Sequence, residues 1–194
     1  MTLPSPTRLS LIRHATALTG GRMAGRRDVA ADCSDTVAIS ALRAGVGPFD
    51  HLLVSPAIRC VQTAAALWPE MTPSHQDPAL WEQDFGAWEV MPYERIPDLG
   101  PLTSADLATL RPPHGESFAD ICARIQPALV NAAELGGHVV IVAHAGTVRA
   151  ALAHATGSIP AALAFQVAPL SLTVLGCANP NGAWSVAMVN RIFA

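Results

Sequence analysis

Leu9-Ser10-Leu11-Ile12-Arg13-His14-Ala15 decides the reading of this chain, because a short apolar run stops there at an arginine and a histidine. Such a run predicts a buried strand, and the residues after it sit where the strand opens into a loop. A second apolar run, Val139 to Val142, ends the same way in Ala143-His144-Ala145-Gly146. In open α/β sheets the carboxyl ends of strands line the crevice where ligands bind, so two histidines at two strand ends can face one another across one site. Arg13 beside His14 favours an anion over a cation, because guanidinium repels metals and grips phosphate bidentately. The pair points to phosphate chemistry at a histidine.

Working outward, Arg8 to Arg13 reads as a strand and Thr36 to Ala44 as a helix with Ile39, Leu42 and Arg43 on one face. His51 to Val54 is a second short strand, followed by a helix over Ala57 to Leu67 with Ser55 as its cap and Pro56 at its first position. A strand is predicted near Ser74 to Leu80. Trp81 to Pro113 is rich in proline, glycine and aromatic residues, with helical spacing only over Ser104 to Leu110, and such a segment in a compact domain is a cap over the site. Ser117 with Asp120 caps a helix to Leu135 whose apolar face runs Phe118, Ile121, Cys122, Ile125 and Leu129, and Pro127 is expected to kink it. His138 to Ala143 is a buried strand and Gly146 to Ala155 a helix. Leu170 to Cys177 and Trp184 to Val189 form a hairpin around Asn179-Pro180-Asn181-Gly182. Strands alternating with helices predict a three-layer α/β sandwich over residues 1–194 as one domain, its central sheet mostly parallel, helices on both faces, and a small cap at about 81–113.

Composition removes whole reaction classes. All 12 basic residues are arginine, so there is no Schiff-base lysine, no P-loop lysine and no Ser-Lys dyad, and phosphate recognition must rest on arginine. Cys33, Cys60, Cys122 and Cys177 are scattered without a CxxC pair, which suggests neither a zinc site nor a disulfide framework. A net charge of −3 gives no general affinity for nucleic acid or acidic membranes. No apolar run approaches the roughly 20 residues that span a bilayer, and Met1 to Arg8 lacks a secretory pattern, so a soluble cytoplasmic protein is expected. His51, His75, His138 and His154 read as structural or exposed.

Four segments place polar groups at a strand end or helix start: Arg13-His14, Ser55-Pro56-Ala57-Ile58-Arg59-Cys60-Val61-Gln62-Thr63-Ala64, Leu80 to Glu89, and His144-Ala145-Gly146. In type, order and spacing they resemble the motifs of the histidine phosphatase superfamily, in its phosphoglycerate mutase-like branch. The resemblance implies His14 as the nucleophile, Arg13 and Arg59 as phosphate clamps, His144 as the second histidine and Glu82 as the proton donor. A neutral His14 could attack phosphorus if its other ring nitrogen were held by a backbone carbonyl. Arg13, Arg59 and a protonated His144 would then spread over the equatorial oxygens, aided by the helix starting near Gly146. A water-excluding cap would keep Glu82 able to deliver a proton. Neither metal nor cofactor is required. Thr16, Arg26, Glu116 and Ala145 are further residues expected against substrate, Glu116 because His114-Gly115-Glu116-Ser117 resembles the family's Gly-Gly-Glu-Ser. Glu89 reads as a structural residue of the cap.

Gly20-Gly21-Arg22-Met23-Ala24-Gly25-Arg26-Arg27-Asp28 and Asp84 to Glu89 resemble α-ribazole phosphatases, which implies a phosphate monoester such as α-ribazole 5′-phosphate from cobalamin biosynthesis. The chain departs from the family at Ala15, Thr16, Gly20 and Val90, the last in place of a glycine. The short Trp81–Pro113 segment favours a phosphatase over a mutase. Other readings are mutase-type phosphoryl transfer, a non-catalytic phosphate-ligand binder on the same fold, and a metal-dependent hydrolase, which lacks the spacing of an HExxH motif. The expected partner is a small phosphate ester, with homodimerisation open and no nucleic-acid or membrane partner.

Overall fold

The computed structural model describes residues 6–193. Its main sheet has six strands in the order β5-β4-β6-β1-β7-β8: β1 is Thr7–Arg13, β4 His51–Val54, β5 His75–Gln76, β6 His138–Ala143, β7 Leu172–Cys177 and β8 Trp184–Arg191. β1, β6, β4 and β5 pair in parallel, and β7 pairs antiparallel with both β1 and β8. Alternation along the strands separates two cores. Leu9, Leu11, Val139 and Ile141 face α4 (Phe118–Glu134) and α5 (Ala145–Thr156), whereas Ile12, Leu52, Val54, Val140 and Val142 face α1 (Thr36–Val46) and α2 (Ile58–Leu67). Burial on both faces is why these strands read as near-continuous apolar runs. A two-stranded ribbon, β2 (Thr16–Ala17) with β3 (Ala31–Asp32), follows His14, and α3 (Ser104–Thr109) and α6 (Ile159–Ala162) are short.

Register creates the site. Arg13 pairs with Ala143 and Val54 with Val142, so β1, β4 and β6 end level. The backbone then continues the ladder one step, His14 N–H donating to the Ala143 carbonyl at 2.9 Å and Ser55 N–H to the Val142 carbonyl at 3.0 Å. His14, Ser55 and His144 thus leave three adjacent strands at one edge.

Several local expectations are corrected. Ser55 does not cap α2; the helix begins at Ile58, whose N–H is accepted by Asp28 Oδ1 at 2.8 Å, and Pro56 precedes the helix. The Ser55 hydroxyl lies 3.5 Å from the Ala57 N–H and only 2.8 Å from His144 Nε2, because a buried imidazole needs a partner that the helix start can find elsewhere. The strand expected over Ser74–Leu80 shrinks to β5, since Asp77 accepts from the Ala79 N–H and Pro78 starts a 3₁₀ turn to Leu80. The Ser117/Asp120 capping box forms, and α4 runs on through Pro127, whose missing N–H withdraws a donor only from the Ala123 carbonyl. The hairpin and the strands at His51–Val54 and His138–Ala143 stand as expected.

The segment between Trp81 and Pro113 has two 3₁₀ turns, Gly86–Trp88 and Tyr93–Arg95, besides α3. Within it Val90 lies at φ 69°, a left-handed conformation that a β-branched residue adopts only under strain.

Candidate active site

His14 is almost wholly buried and donates from Nδ1 to the Ala15 carbonyl at 2.6 Å, which leaves Nε2 as the unprotonated nitrogen. Burial foremost, with Arg59 and Arg13 adding to it, pushes its pKa down to about 3 against the opposing pull of the Ala15 hydrogen bond. Ala15 is itself held: its N–H donates to Thr63 Oγ1 at 3.0 Å, and the Thr63 hydroxyl donates to the Arg59 carbonyl at 2.7 Å. One threonine on α2 therefore ties the loop after β1 to the turn that carries Arg59.

The His144 ring centroid lies 5.2 Å from that of His14. His144 Nε2 faces the Ser55 hydroxyl at 2.8 Å, and its Nδ1 accepts from Arg59 Nε at 3.3 Å, so the ring is a neutral Nε2–H tautomer. Complete burial, then Arg59, His14, Arg13 and Arg124, hold its pKa well below the usual histidine value. The surrounding charges are positive and keep the ring neutral, so the imidazolium expected over the phosphoryl oxygens would be favoured only by an incoming dianion. Trp81 stacks on the ring at 6.2 Å between centroids and 10° between planes.

Arg59, expected as a clamp, is 2% exposed. Besides His144 it donates through Nη1 to the Arg27 carbonyl at 3.1 Å and through Nη2 to the Gly25 carbonyl at 2.7 Å. Gly25 sits at φ 50°, and a Cβ there would strike Glu89 and Phe85. Arg13 donates through Nη1 to the Val167 carbonyl at 2.6 Å, while its buried Nε has no partner. Among the described residues neither arginine is paired with a carboxylate. A buried guanidinium and a partly buried one, neither in a salt bridge, are costly unless an anion compensates them.

Glu82 Oε1 accepts from the Gly146 N–H at 3.1 Å and from the Gln83 N–H at 3.0 Å, which places the carboxyl at the N-terminus of α5. A Cβ at 146 would overlap Glu82 Oε1, so any side chain there would push the carboxyl away. Ala145 is the first residue of α5, beside that contact.

The structure therefore brings His14, His144, Arg13, Arg59, Glu82 and Ala145 together, but not the other expected residues. Thr16 pairs with Asp32 and lines a separate cleft of about 440 Å³ with Ser34, Pro169 and Phe193. Arg26 is turned to Glu116 at 3.3 Å, and its N–H to Glu89 Oε1 at 2.7 Å. Glu116 is held by Arg124, at 2.8 Å from both Nε and Nη2. Three contributors went unrecognised as such: Ser55, Trp81 and Arg124. Ser55 had a usable signal, since it follows a strand as the histidines do; Arg124 had none, because most of its partners are backbone carbonyls. No group of three or more His, Cys, Asp or Glu among the described residues could hold a metal ion, and no described helix is long and apolar enough to cross a membrane.

A neutral imidazole with one free nitrogen, beside two arginines that make no salt bridge at the carboxyl edge of an α/β sheet, is an arrangement suited to an anion facing a potential nucleophile. The chain belongs to the histidine phosphatase superfamily (branch 1), which it matches over residues 9–191. It is 34% identical over 143 residues to 6-phosphofructo-2-kinase/fructose-2,6-bisphosphatase 4 of Rattus norvegicus, a match covering 68% of this chain and 29% of that protein. The chain thus spans under a third of the curated relatives it matches. Among solved structures it is similar to a mycobacterial glucosyl-3-phosphoglycerate phosphatase, at TM-score 0.79 and 25% identity over 95% of this chain and 99% of that one. It also shares the fold of an unproven alpha-ribazole-5′-P phosphatase of Escherichia coli, at TM-score 0.80 and 20% identity over 95% and 96% of the two chains.

Proposed function

We propose that this protein is a metal-independent phosphatase that hydrolyses a small-molecule phosphate monoester through a phosphohistidine at His14. The observation that carries the reading is the Nδ1–H bond to Ala15, which presents an unprotonated Nε2 beside Arg13 and Arg59. His14 Nε2 attacks phosphorus, the P–O ester bond breaks, and Glu82 gives its proton to the leaving oxygen. Arg13, Arg59 and the N-terminus of α5 hold the phosphoryl oxygens, with His144 beside them. Water then attacks phosphorus, Glu82 takes its proton, and the P–N bond breaks to release inorganic phosphate and neutral His14.

The substrate class is a phosphate monoester of a small polar molecule, with α-ribazole 5′-phosphate the first to assay. The Gly20–Asp28 and Asp84–Glu89 resemblance is weaker support for that ester than it reads, because Gly25, Arg27 and Asp28 brace Arg59 and α2, and Glu89 braces Arg26 and Phe85. The test is phosphate release in excess chelator from α-ribazole 5′-phosphate, 3-phosphoglycerate and p-nitrophenyl phosphate, with native chain and His14→Ala. Release that survives chelation and vanishes in the variant supports the mechanism, and preference for the ribazole ester supports the substrate. Release unaffected by His14→Ala, or abolished by chelator, refutes it.

A further inference from the structure

We propose that Arg124 positions the proton carrier Glu82, a role that rests on the phosphohistidine reading above. Arg124 lies on α4, its side chain 20% exposed, and all five of its guanidinium N–H groups are committed. Nη1 donates to the Ala79 carbonyl at 2.7 Å and the Trp81 carbonyl at 3.0 Å. Nη2 donates to the Glu82 carbonyl at 3.2 Å and to Glu116 Oε2 at 2.8 Å, and Nε to Glu116 Oε1 at 2.8 Å.

Residues 81–85 have no helix or strand to satisfy their backbone, and partly buried carbonyls need donors. Arg124 supplies them at and just before Glu82, while Glu116 completes the grip just after it. Glu116 Oε2 accepts from the Asp84 N–H at 3.1 Å, the Glu116 carbonyl accepts from Gln83 Nε2 at 2.6 Å, and the Glu116 N–H donates to the Asp84 carbonyl at 2.8 Å. The Glu82 carboxyl is thereby presented to the Gly146 N–H from a backbone fixed on both sides. Glu116, expected against substrate, acts here as the counter-ion of the clamp. Lysine cannot replace Arg124, since an ammonium has three donors and no planar fork.

Leaving-group dependence separates positioning from general damage, because a good leaving group departs without a proton and a poor one does not. Native chain, Arg124→Gln and Arg124→Lys are compared on 2,4-dinitrophenyl phosphate and on glycerol phosphate, with tungstate affinity measured in each. Both variants are expected to lose at least about 100-fold in kcat/KM on glycerol phosphate and less than about 3-fold in kcat/KM on the dinitrophenyl ester, because kcat/KM reports formation of the phosphoenzyme and not the Glu82-assisted hydrolysis common to both esters, with tungstate affinity retained. Equal losses on both esters, or recovery in Arg124→Lys, which restores only the charge felt by His144, overturn the proposal. Should neither variant fold, Glu116→Gln, which spares the carbonyl contacts, is expected to show the same selective loss at smaller depth, and a parallel loss overturns the proposal. A base-stable ³²P-labelled phosphoenzyme in the native chain keeps the underlying reading apart: its absence refutes that reading, whereas its presence with unselective losses refutes the role of Arg124 alone.

Discussion

Lowering the pH from 7 to 5 should weaken the fold steeply, because His14 and His144 are folded as neutral rings. The folded pKa of each is depressed, to about 3 for His14 and well below the ordinary value of 6.5 for His144. The unfolded chain therefore takes up a proton on each near pH 6.5 while the folded chain does not. Stability is full above that pH and is lost as pH falls below it, by about 1.4 kcal/mol per unit for His14. Between pH 7 and 5 the loss from His14 is about 2 kcal/mol, a large share of the 5–15 kcal/mol typical of a domain, and His144, with the less buried His138 and His154, whose pKa values burial also lowers, adds to it in the same direction. Carboxylates contribute little in this window, since they titrate lower. Urea unfolding at pH 7, 6 and 5 in a buffer without phosphate or sulfate measures it, and His14→Gln should reduce the loss between pH 7 and 5 by about 2 kcal/mol. An unchanged midpoint over this range, or a slope untouched by His14→Gln, would refute neutral burial of these rings.

Val90→Gly should stabilise the protein by about 1 kcal/mol, raising Tm by about 2–4 °C in a thermal scan, because it removes a β-branched residue from φ 69°; a lower Tm would show that the conformation is unstrained. Gly146→Ala drives a methyl into Glu82 Oε1 and should lower kcat on an alkyl phosphate about 100-fold or more, with tungstate affinity within about 3-fold by titration. Thr63→Val leaves the buried Ala15 N–H without an acceptor and should destabilise by about 1–3 kcal/mol in denaturant unfolding, a change below 0.5 kcal/mol counting against its role in the loop.

The sequence by itself determined the parts of this protein that depend on neighbours along the chain. Apolar runs of four to six residues marked β1, β4 and β6, the Ser117/Asp120 box marked the start of α4, and four motifs in order carried His14, Arg59, Glu82 and His144. Even the unusual backbone at Val90 was visible as a residue in a glycine's place. Only the tertiary structure decided what those residues are joined to. The neutral state of His144 comes from burial and from Arg59, 85 residues away in the chain. Ser55 left the helix cap for that ring, and the stretch expected to read the substrate lends carbonyls to Arg59. Arg124 and Glu116 grip the backbone around Glu82. Backbone carbonyls carry no sequence signal, and desolvation is a property of the packed core, so neither the partners nor the protonation states could be read before the sheet had brought the strand ends level.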